Sequence, residues 1–413
     1  MSDFGEISAI FNSINEEAQK YVPEPQFNLI TGGYGLLIAS MTPEYGSKNP
    51  FIKQSLDTAL YLTKLGFQSE YVTSALLSYP HLKNQIKTDK LLIQFGESIT
   101  SILVRLLSLT TNFEGFLPWV KKIASNEKPS IKYSGSNKDF WDERNAEQFT
   151  FAFLAIAQNL ETATLKVVER FFLLKNIKSF PITDDTHKRL AQDTLNIFTP
   201  VAETLGMWTI KSQLEDAAFK LLEPALFKEI AFDLQERLQE RRARIDRAKE
   251  LIDSYLRQEK ISAKLSGRPK HIYGLHKKAI QTKKTISEIN DALAIRIIVH
   301  DIADCYLVLS ALESHFGLAD SVYEKGKKYR DWIKTPKPNQ YQSIHTTILI
   351  EGKMVEVQIR TQVMHDLAEY GAAAHWLYSK AGNTIDQQEK YKMYIEKISA
   401  IRRKYEQNPL HMK

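Results

Sequence analysis

Residues 355–360 read VEVQIR, and strict alternation of that kind admits one local structure, a strand with one face in a core. Val355, Val357 and Ile359 fall on one side and Glu356, Gln358 and Arg360 on the other, because successive strand side chains leave opposite faces. The strand therefore delivers an acid, an amide and a guanidinium to one accessible face. The helical stretch that follows sets His365 and Glu369 four residues apart, on one side of a helix. A strand carboxylate beside cations suits a Mg-nucleotide site, since the carboxylate holds the metal while the cations hold phosphates. Each residue alone reads as part of a solvated strand face; the neighbouring segments decide.

The chain changes texture along its length. From about residue 5 to 235 the periodicity is helical: in QSLDTALYLTKLGF, Leu56, Ala59, Leu60, Leu62 and Leu65 recur at helix spacing, with Gly66 as a C-cap. Pro80, Pro118, Pro181 and Pro200 interrupt the pattern, and residues 128–142, rich in Pro, Ser, Gly and Asn, read as a loop. Residues 236–260 form a charged helix with both signs mixed, which predicts a solvated connector rather than a nucleic-acid arm. Beyond residue 260 the β-branched runs LAIRIIV and SIHTTILI alternate with helical stretches such as DCYLVLSALESHF. Tyr341, Ser343, His345 and Thr347 share one strand face, and Ile344, Ile348 and Ile350 the other. The expected fold is α+β and multidomain, all-helical first and then a mixed sheet with flanking helices. Residues 387–407 read as a further charged helix.

Composition narrows the setting. At 413 residues two domains are expected, three at most. Cys305 is the single cysteine, which excludes an intrachain disulfide and a cysteine-based zinc site. No uninterrupted apolar run reaches the roughly 18 residues of a membrane span, and the acidic start MSDFGEISAIFNSINEE is unlike a signal peptide. A cytoplasmic protein without a membrane partner is the expectation. The net charge of +6 suits a polyphosphate ligand and does not require nucleic acid.

Four segments carry the chemistry. GRPKHIYGLHKKAI, residues 267–280, places Arg268, Lys270, Lys277 and Lys278 where a helix begins, so that its first amides would add positive charge for phosphates. INDALAIRIIV sets Asp291 just before a strand, with Arg296 five residues on. YRDWIKTPKPNQYQSIHTT combines Lys334, Lys337, Asn339, Tyr341 and His345, and a strand tyrosine is able to stack on a base. The fourth is the segment that begins VEVQIR. No P-loop or dinucleotide fingerprint is present. Singly, Tyr341 reads as core or surface, His345 as a sheet hydrogen-bonding group and Asp291 as a cap.

Taken in this order, GRPKHIY, KPNQYQSIHTT and VEVQIRT…AEYGAAAHW resemble the (p)ppGpp synthetase domain of the RelA/SpoT-homologue family across roughly residues 240–380. The resemblance implies transfer of the β,γ-pyrophosphate of ATP to the ribose 3′-hydroxyl of GDP or GTP, on a nucleotidyltransferase-like sheet. It further implies that Asp291 and Glu356 hold Mg²⁺, with Glu356 helping to deprotonate the attacking hydroxyl. Arg268 and Arg296 would sandwich adenine and, with Lys270 and Lys278, stabilise ATP phosphates. Tyr341 would stack on guanine. Lys337, Asn339, His345 and Gln358 would position the acceptor, with Ala368 and Glu369 near its base. Two positions depart from the family: Gly274 stands where Ser is usual, and Gln340 where Gly is. Residues 328–331 resemble the basic form of the family's substrate-preference loop.

The amino-terminal half resembles the family's all-helical HD-type hydrolase through NPFIKQSLDTALYL, YVTSALLSYP, LIQFGESITSILVRLLSLT and FTPVAETLGMWTIKSQLEDAAFKLL. By alignment the Mn²⁺ cage positions hold Gln54, Ser78, Tyr79 and Gln158, and the His-Asn pair beyond them reads Glu161 and Thr162. Such groups do not assemble an imidazole-carboxylate cage, and His81 nearby is expected at the surface. The expected organisation is a pseudo-hydrolase domain over 1–200, a helical connector over 201–260, a synthetase over 261–385 and a charged helix over 386–413. A hydrolase-dead domain would serve as structure or regulator, its cleft being a candidate site for a nucleotide effector. Without the family's carboxy-terminal regulatory regions, ribosome activation is not expected. The alternatives are a pyrophosphokinase for adenosine nucleotides or the tRNA 3′ end, and a catalytically weak nucleotide-binding regulator.

Overall fold

The computed structural model describes residues 3–40, 49–113, 143–180, 182–268, 271–283, 293–318, 328–337 and 341–371. The chain divides into two compact units, one running up to Leu205 and the other spanning Gly206–Gly371. The 128–142 loop and the helix expected over 387–407 lie outside the described residues.

The first unit is helical throughout its described residues. It comprises α1 (Asp3–Ala18), α2 (Glu24–Ala39), α3 (Pro50–Lys64), α4 (Ser69–Leu82), α5 (Thr88–Phe113), α6 (Glu143–Ala157), α7 (Leu160–Lys175), α8 (Asp184–Asp193), a π-turn Thr194–Phe198 and α9 (Thr199–Thr204). Asn49 starts α3 by accepting the Phe51 amide at 3.0 Å, while its own side-chain amide donates to the Tyr79 hydroxyl at 3.2 Å. Of the predicted apolar stripe, Leu56, Ala59, Leu62 and Leu65 are buried, while Leu60 stays partly exposed. Pro80 does not end α4, which runs on to Leu82; it falls in the last turn, where only one ladder bond is lost. Pro200 sits in the first turn of α9, where its missing N–H costs nothing.

Helix α5 qualifies the sequence reading of membrane segments. By length and composition it is the one described helix able to cross a bilayer, with a mean hydropathy of 1.4 over its most apolar window. Gly96, at φ 80° and ψ −179°, breaks its helical geometry, and beyond the break Ile99, Leu103, Leu106 and Leu109 are buried at three- and four-residue spacing. That is the stripe of a helix packed on a core.

The second unit comprises α10 (Trp208–Leu222), α11 (Pro224–Gln258), β1 (Lys264–Arg268), α12 (Ile272–Thr282), β2 (Leu293–Val299), α13 (Ile302–Phe316), β3 (Tyr329–Asp331), β4 (Ile344–Ile350), β5 (Lys353–Thr361) and α14 (Gln362–Tyr370). Its sheet runs β1-β2-β5-β4-β3, with β2 and β5 parallel and the other pairs antiparallel. The parallel pair needs a long crossover, which α13 helps to supply. Glu351 and Gly352, both at positive φ, make the tight β4–β5 turn.

One face of the sheet carries Ile295, Ile297, Val299, Ile344, Ile348, Val355, Val357 and Ile359 into a core closed by Val308, Leu309 and Leu312 of α13. Helix α11 closes it too. Ala248, Ile252 and Leu256, four residues apart, are 2%, 0% and 1% exposed, so this half of the charged helix is a packed layer of the domain rather than a solvated connector. Charges on its other sides masked the stripe.

Candidate functional site

Strand register builds the site on the sheet's other face. Arg296 of β2 lies beside Gln358 of β5, Gln358 beside His345 of β4, and His345 beside Arg330 of β3, with Ser266 of β1 next to Arg296. One polar row thus crosses all five strands. In the next row stand Arg268, Ala294, Glu356 and Thr347.

Glu356 is the hub. Its Oε1 accepts from the Gln358 amide at 3.1 Å, and His345 Nδ1 lies 3.8 Å away. The His345 Nε2 meets the Tyr341 hydroxyl at 2.8 Å, and Lys337 Nζ lies 5.1 Å from the centre of the Tyr341 ring and 5.0 Å from that of Trp332. Lys337, Tyr341, His345, Gln358 and Glu356 thereby form one continuous chain, and Glu356 keeps 17% of its side chain exposed. The rest of the face is more enclosed than alternation alone implies: Gln358 is 4% exposed and Arg360 1%.

A second cluster forms where α14 covers β2 and β5. Arg296 Nη2 pairs with Glu369 Oε1 at 2.8 Å, Arg360 Nη2 lies 3.5 Å from the same oxygen, and Thr209 of α10 donates to Oε2. His365 Nδ1 is 3.8 Å from Glu369, as their four-residue spacing predicts. Burial, reinforced by Arg360 and Arg296, pushes His365 down to about 4, so at neutral pH it is uncharged. Glu369 is half-buried, and desolvation alone would raise it; the Thr209 hydrogen bond and the two arginines outweigh that and hold it ionised. Arg296 and Glu369, assigned to different nucleotides by resemblance, are thus bound to each other. Ala368 is buried on the same helix.

The donor-side segment holds one surprise. The first amides of α12 do not stand open for phosphate: Ile272 and Tyr273 donate to the Asp216 carboxylate of α10 at 3.3 and 2.8 Å. Lys278 lies on this helix, and Arg268 is placed by its backbone at the end of β1. Lys270, Asp291 and Asn339 lie outside the described residues, as does Gln340.

The helical unit has its own cavity, of about 50 Å³, lined by Gln54, Ser78, Tyr79 and His81 among others. Three positions aligned with the hydrolase cage therefore do converge, while Gln158 does not line it. His81 is 7% exposed, not on the surface, and burial lowers its pKa. Sequence reasoning missed the buried pair Lys166–Glu169, 3.1 Å apart, and Arg170, whose guanidinium sits 4.0 Å over the Phe198 ring. A Lys-x-x-Glu-Arg step inside the apolar helix α7 was the available signal. Among the described residues no group of three or more His, Cys, Asp or Glu side chains is placed to hold a metal.

Comparison with known proteins agrees with this division. Residues 267–383 match the model of a region found in RelA / SpoT proteins, and residues 38–208 match an HD domain. A probable guanosine-3′,5′-bis(diphosphate) 3′-pyrophosphohydrolase from Synechocystis is 32% identical over 82% of this chain and 40% of its own length. A GTP pyrophosphokinase from Myxococcus xanthus is 28% identical over 92% of this chain and 46% of its own. The bifunctional (p)ppGpp synthase/hydrolase SpoT of Escherichia coli is 29% identical over 91% and 49%. The chain thus spans less than half the length of these curated relatives. Among solved structures, small alarmone synthetase 1 from Bacillus subtilis, bound to its product pppGpp, is 20% identical over 42% of this chain and 95% of its own, at a TM-score of 0.29.

Proposed function

This chain belongs to the RelA/SpoT family, joining an HD domain to a synthetase region, and from that premise we propose that it is a Mg²⁺-dependent pyrophosphokinase making (p)ppGpp. The 3′-hydroxyl of GDP or GTP attacks the β-phosphorus of ATP, the bond from that phosphorus to the α,β-bridging oxygen breaks, and AMP leaves. The hydroxyl proton passes to the Glu356 carboxylate. The observation that supports this best is the chain Lys337–Tyr341–His345–Glu356–Gln358 on one sheet face: a cation and a ring for a nucleotide, running up to a partly exposed carboxylate.

Such a transfer needs charge neutralisation and alignment of two nucleotides more than covalent help from the protein. Lys337 and Tyr341 bind the acceptor, His345 and Gln358 fix Glu356 in place, and Lys278 with Arg268 and Lys270 holds donor phosphates. Arg296 reaches adenine by exchanging its Glu369 contact. The donors fit magnesium, since a hard cation takes one or two carboxylates plus phosphate oxygens. Glu356, and Asp291 two residues before β2 in sequence, would hold it, and it would neutralise phosphate charge.

For the helical unit we propose no hydrolysis. Its cavity presents an amide, a serine and a phenol, and its one imidazole bonds the Ile86 carbonyl at 3.4 Å. Incubating the protein with Mn²⁺ and ppGpp should leave the nucleotide intact. Synthesis is tested with γ-labelled ATP, Mg²⁺ and, separately, GDP, GTP, AMP, ADP or deacylated tRNA. Label in ppGpp or pppGpp supports the reading; label in adenosine products or tRNA replaces the acceptor; no transfer to any acceptor sinks it.

A further inference from the structure

Helix α10 reaches two other helices, α14 and α12. Near its start Thr209 donates to Glu369. Further along, the adjacent residues Glu215 and Asp216 turn to α12. Asp216 takes two of the amides that a helix start leaves open, those of Ile272 and Tyr273. Glu215 Oε2 lies 3.1 Å from His271 Nε2, and its Oε1 3.5 Å from Lys211 Nζ. Phe219, one turn on, stacks on His276 at 4.7 Å between ring centres and meets Tyr273 edge-on at 5.5 Å. The first turn of α12 is therefore held by two carboxylates and an aromatic contact from one helix.

Gly274 completes the attachment. A Cβ there would stand 2.8 Å from His271 Nε2 and 3.0 Å from its Cε1. Any larger residue must push the ring away, and the ring is what reaches Glu215. The absent side chain at 274 and the contact at 215 are one arrangement.

We propose that Glu215 and Asp216 are positioning residues for the donor nucleotide: they fix α12, and with it Lys278, against α10, while Gly274 leaves the His271 ring room to reach Glu215. This rests on the pyrophosphokinase reading above. Neither carboxylate touches substrate; both act through α12. An open helix start binds anions, and here Asp216 fills it, so donor phosphates meet the side chains of α12 rather than its amides. The contacts that link Lys337 to Glu356 run through Tyr341 and His345, outside α10 and α12, so the effect of losing the attachment is expected at the donor.

The test is steady-state kinetics on the full chain, with ATP varied at saturating GDP and GDP varied at saturating ATP. Asp216→Ala should raise KM for ATP about tenfold or more, since an ångström of misplacement is that costly, and leave KM for GDP within about twofold. Asp216→Asn keeps one acceptor oxygen where the carboxylate uses two, so it should recover only part of the loss. Gly274→Ala and Glu215→Gln should each raise KM for ATP as well. Equal rises in both KM values, or an unchanged KM for ATP in Asp216→Ala, would overturn the proposal. Should that variant not fold, Gly274→Ala and Glu215→Gln decide by the same criterion. A wild type without transfer activity would defeat the functional reading alone; equilibrium binding of ATP and GDP to the same variants then decides, with ATP weakened and GDP unaffected as the expected result and unchanged ATP affinity as the contrary one.

Discussion

The helical cavity and the sheet face both gather polar groups, and they do so in opposite ways. In the cavity the charges are spent on one another: Lys166 meets Glu169 and Thr110, and Arg170 is buried over Phe198. Unpartnered atoms remain at Thr58, His81 and Glu169, all buried. On the sheet, register alone lines up Arg330, His345, Gln358 and Arg296 and leaves Glu356 partly open beside them. The helices give a small pocket whose charged groups meet groups within it. The strands give an ordered row with a partly exposed carboxylate beside it. Buried pairs suit architecture, and a partly exposed acid beside a fixed row suits the chemistry proposed for it.

That contrast is open to attack, first where the effect is largest. Glu169→Ala strands Lys166 in the cavity and should cost about 3–5 kcal/mol of stability, read by denaturant unfolding; a cost near zero would mean the pair is solvated and the contrast false. Ile252→Ala, under the sheet, should cost about 2–5 kcal/mol, and a surface-like value would restore α11 to a solvated connector. Tyr341→Phe removes the hydroxyl that meets His345 and should cost only about 0.5–1.5 kcal/mol, since its ring remains. It should weaken pyrophosphate transfer to GDP more than folding, and an effect confined to stability would place Tyr341 in the architecture.

The smallest effect is acid sensitivity in the α14 cluster. His365 titrates at about 4 in the fold against 6.5 unfolded, so the unfolded chain takes the proton first. Its contribution is intact above pH 6.5 and is lost as pH falls from 6.5 towards 4; Glu369, lowered from 4.5, adds loss in the same direction below that. Because the ring is partly solvated, the loss should be on the order of 1 kcal/mol. His365→Gln should flatten unfolding stability between pH 6.5 and 5, and an unchanged slope would remove this residue from the account.

The sequence made the strand alternation, the His365–Glu369 spacing and the helical first half readable, because each is a local period. It did not show which strands would be neighbours, so the five-strand row emerged only with the register. Lys166, Glu169 and Arg170 were hidden because α7 reads as uniformly core and the groups they meet beyond it, Thr110 and Phe198, are distant in sequence. Asp216 was hidden for the same reason: it caps a helix that begins 56 positions away in sequence. His81 looked like a surface residue since nothing local announces burial. The charged surface of α11 likewise concealed the four-residue spacing of Ala248, Ile252 and Leu256.

The central claim is that Glu356 does chemistry while its neighbours bind and orient. Glu356→Gln, nearly isosteric, should bind GDP about as well as the wild type and transfer label from γ-labelled ATP about 10²–10⁴-fold more slowly, the loss expected when a positioned base is removed. Transfer at the wild-type rate would contradict the account, because the hub of the row would then be one more structural carboxylate.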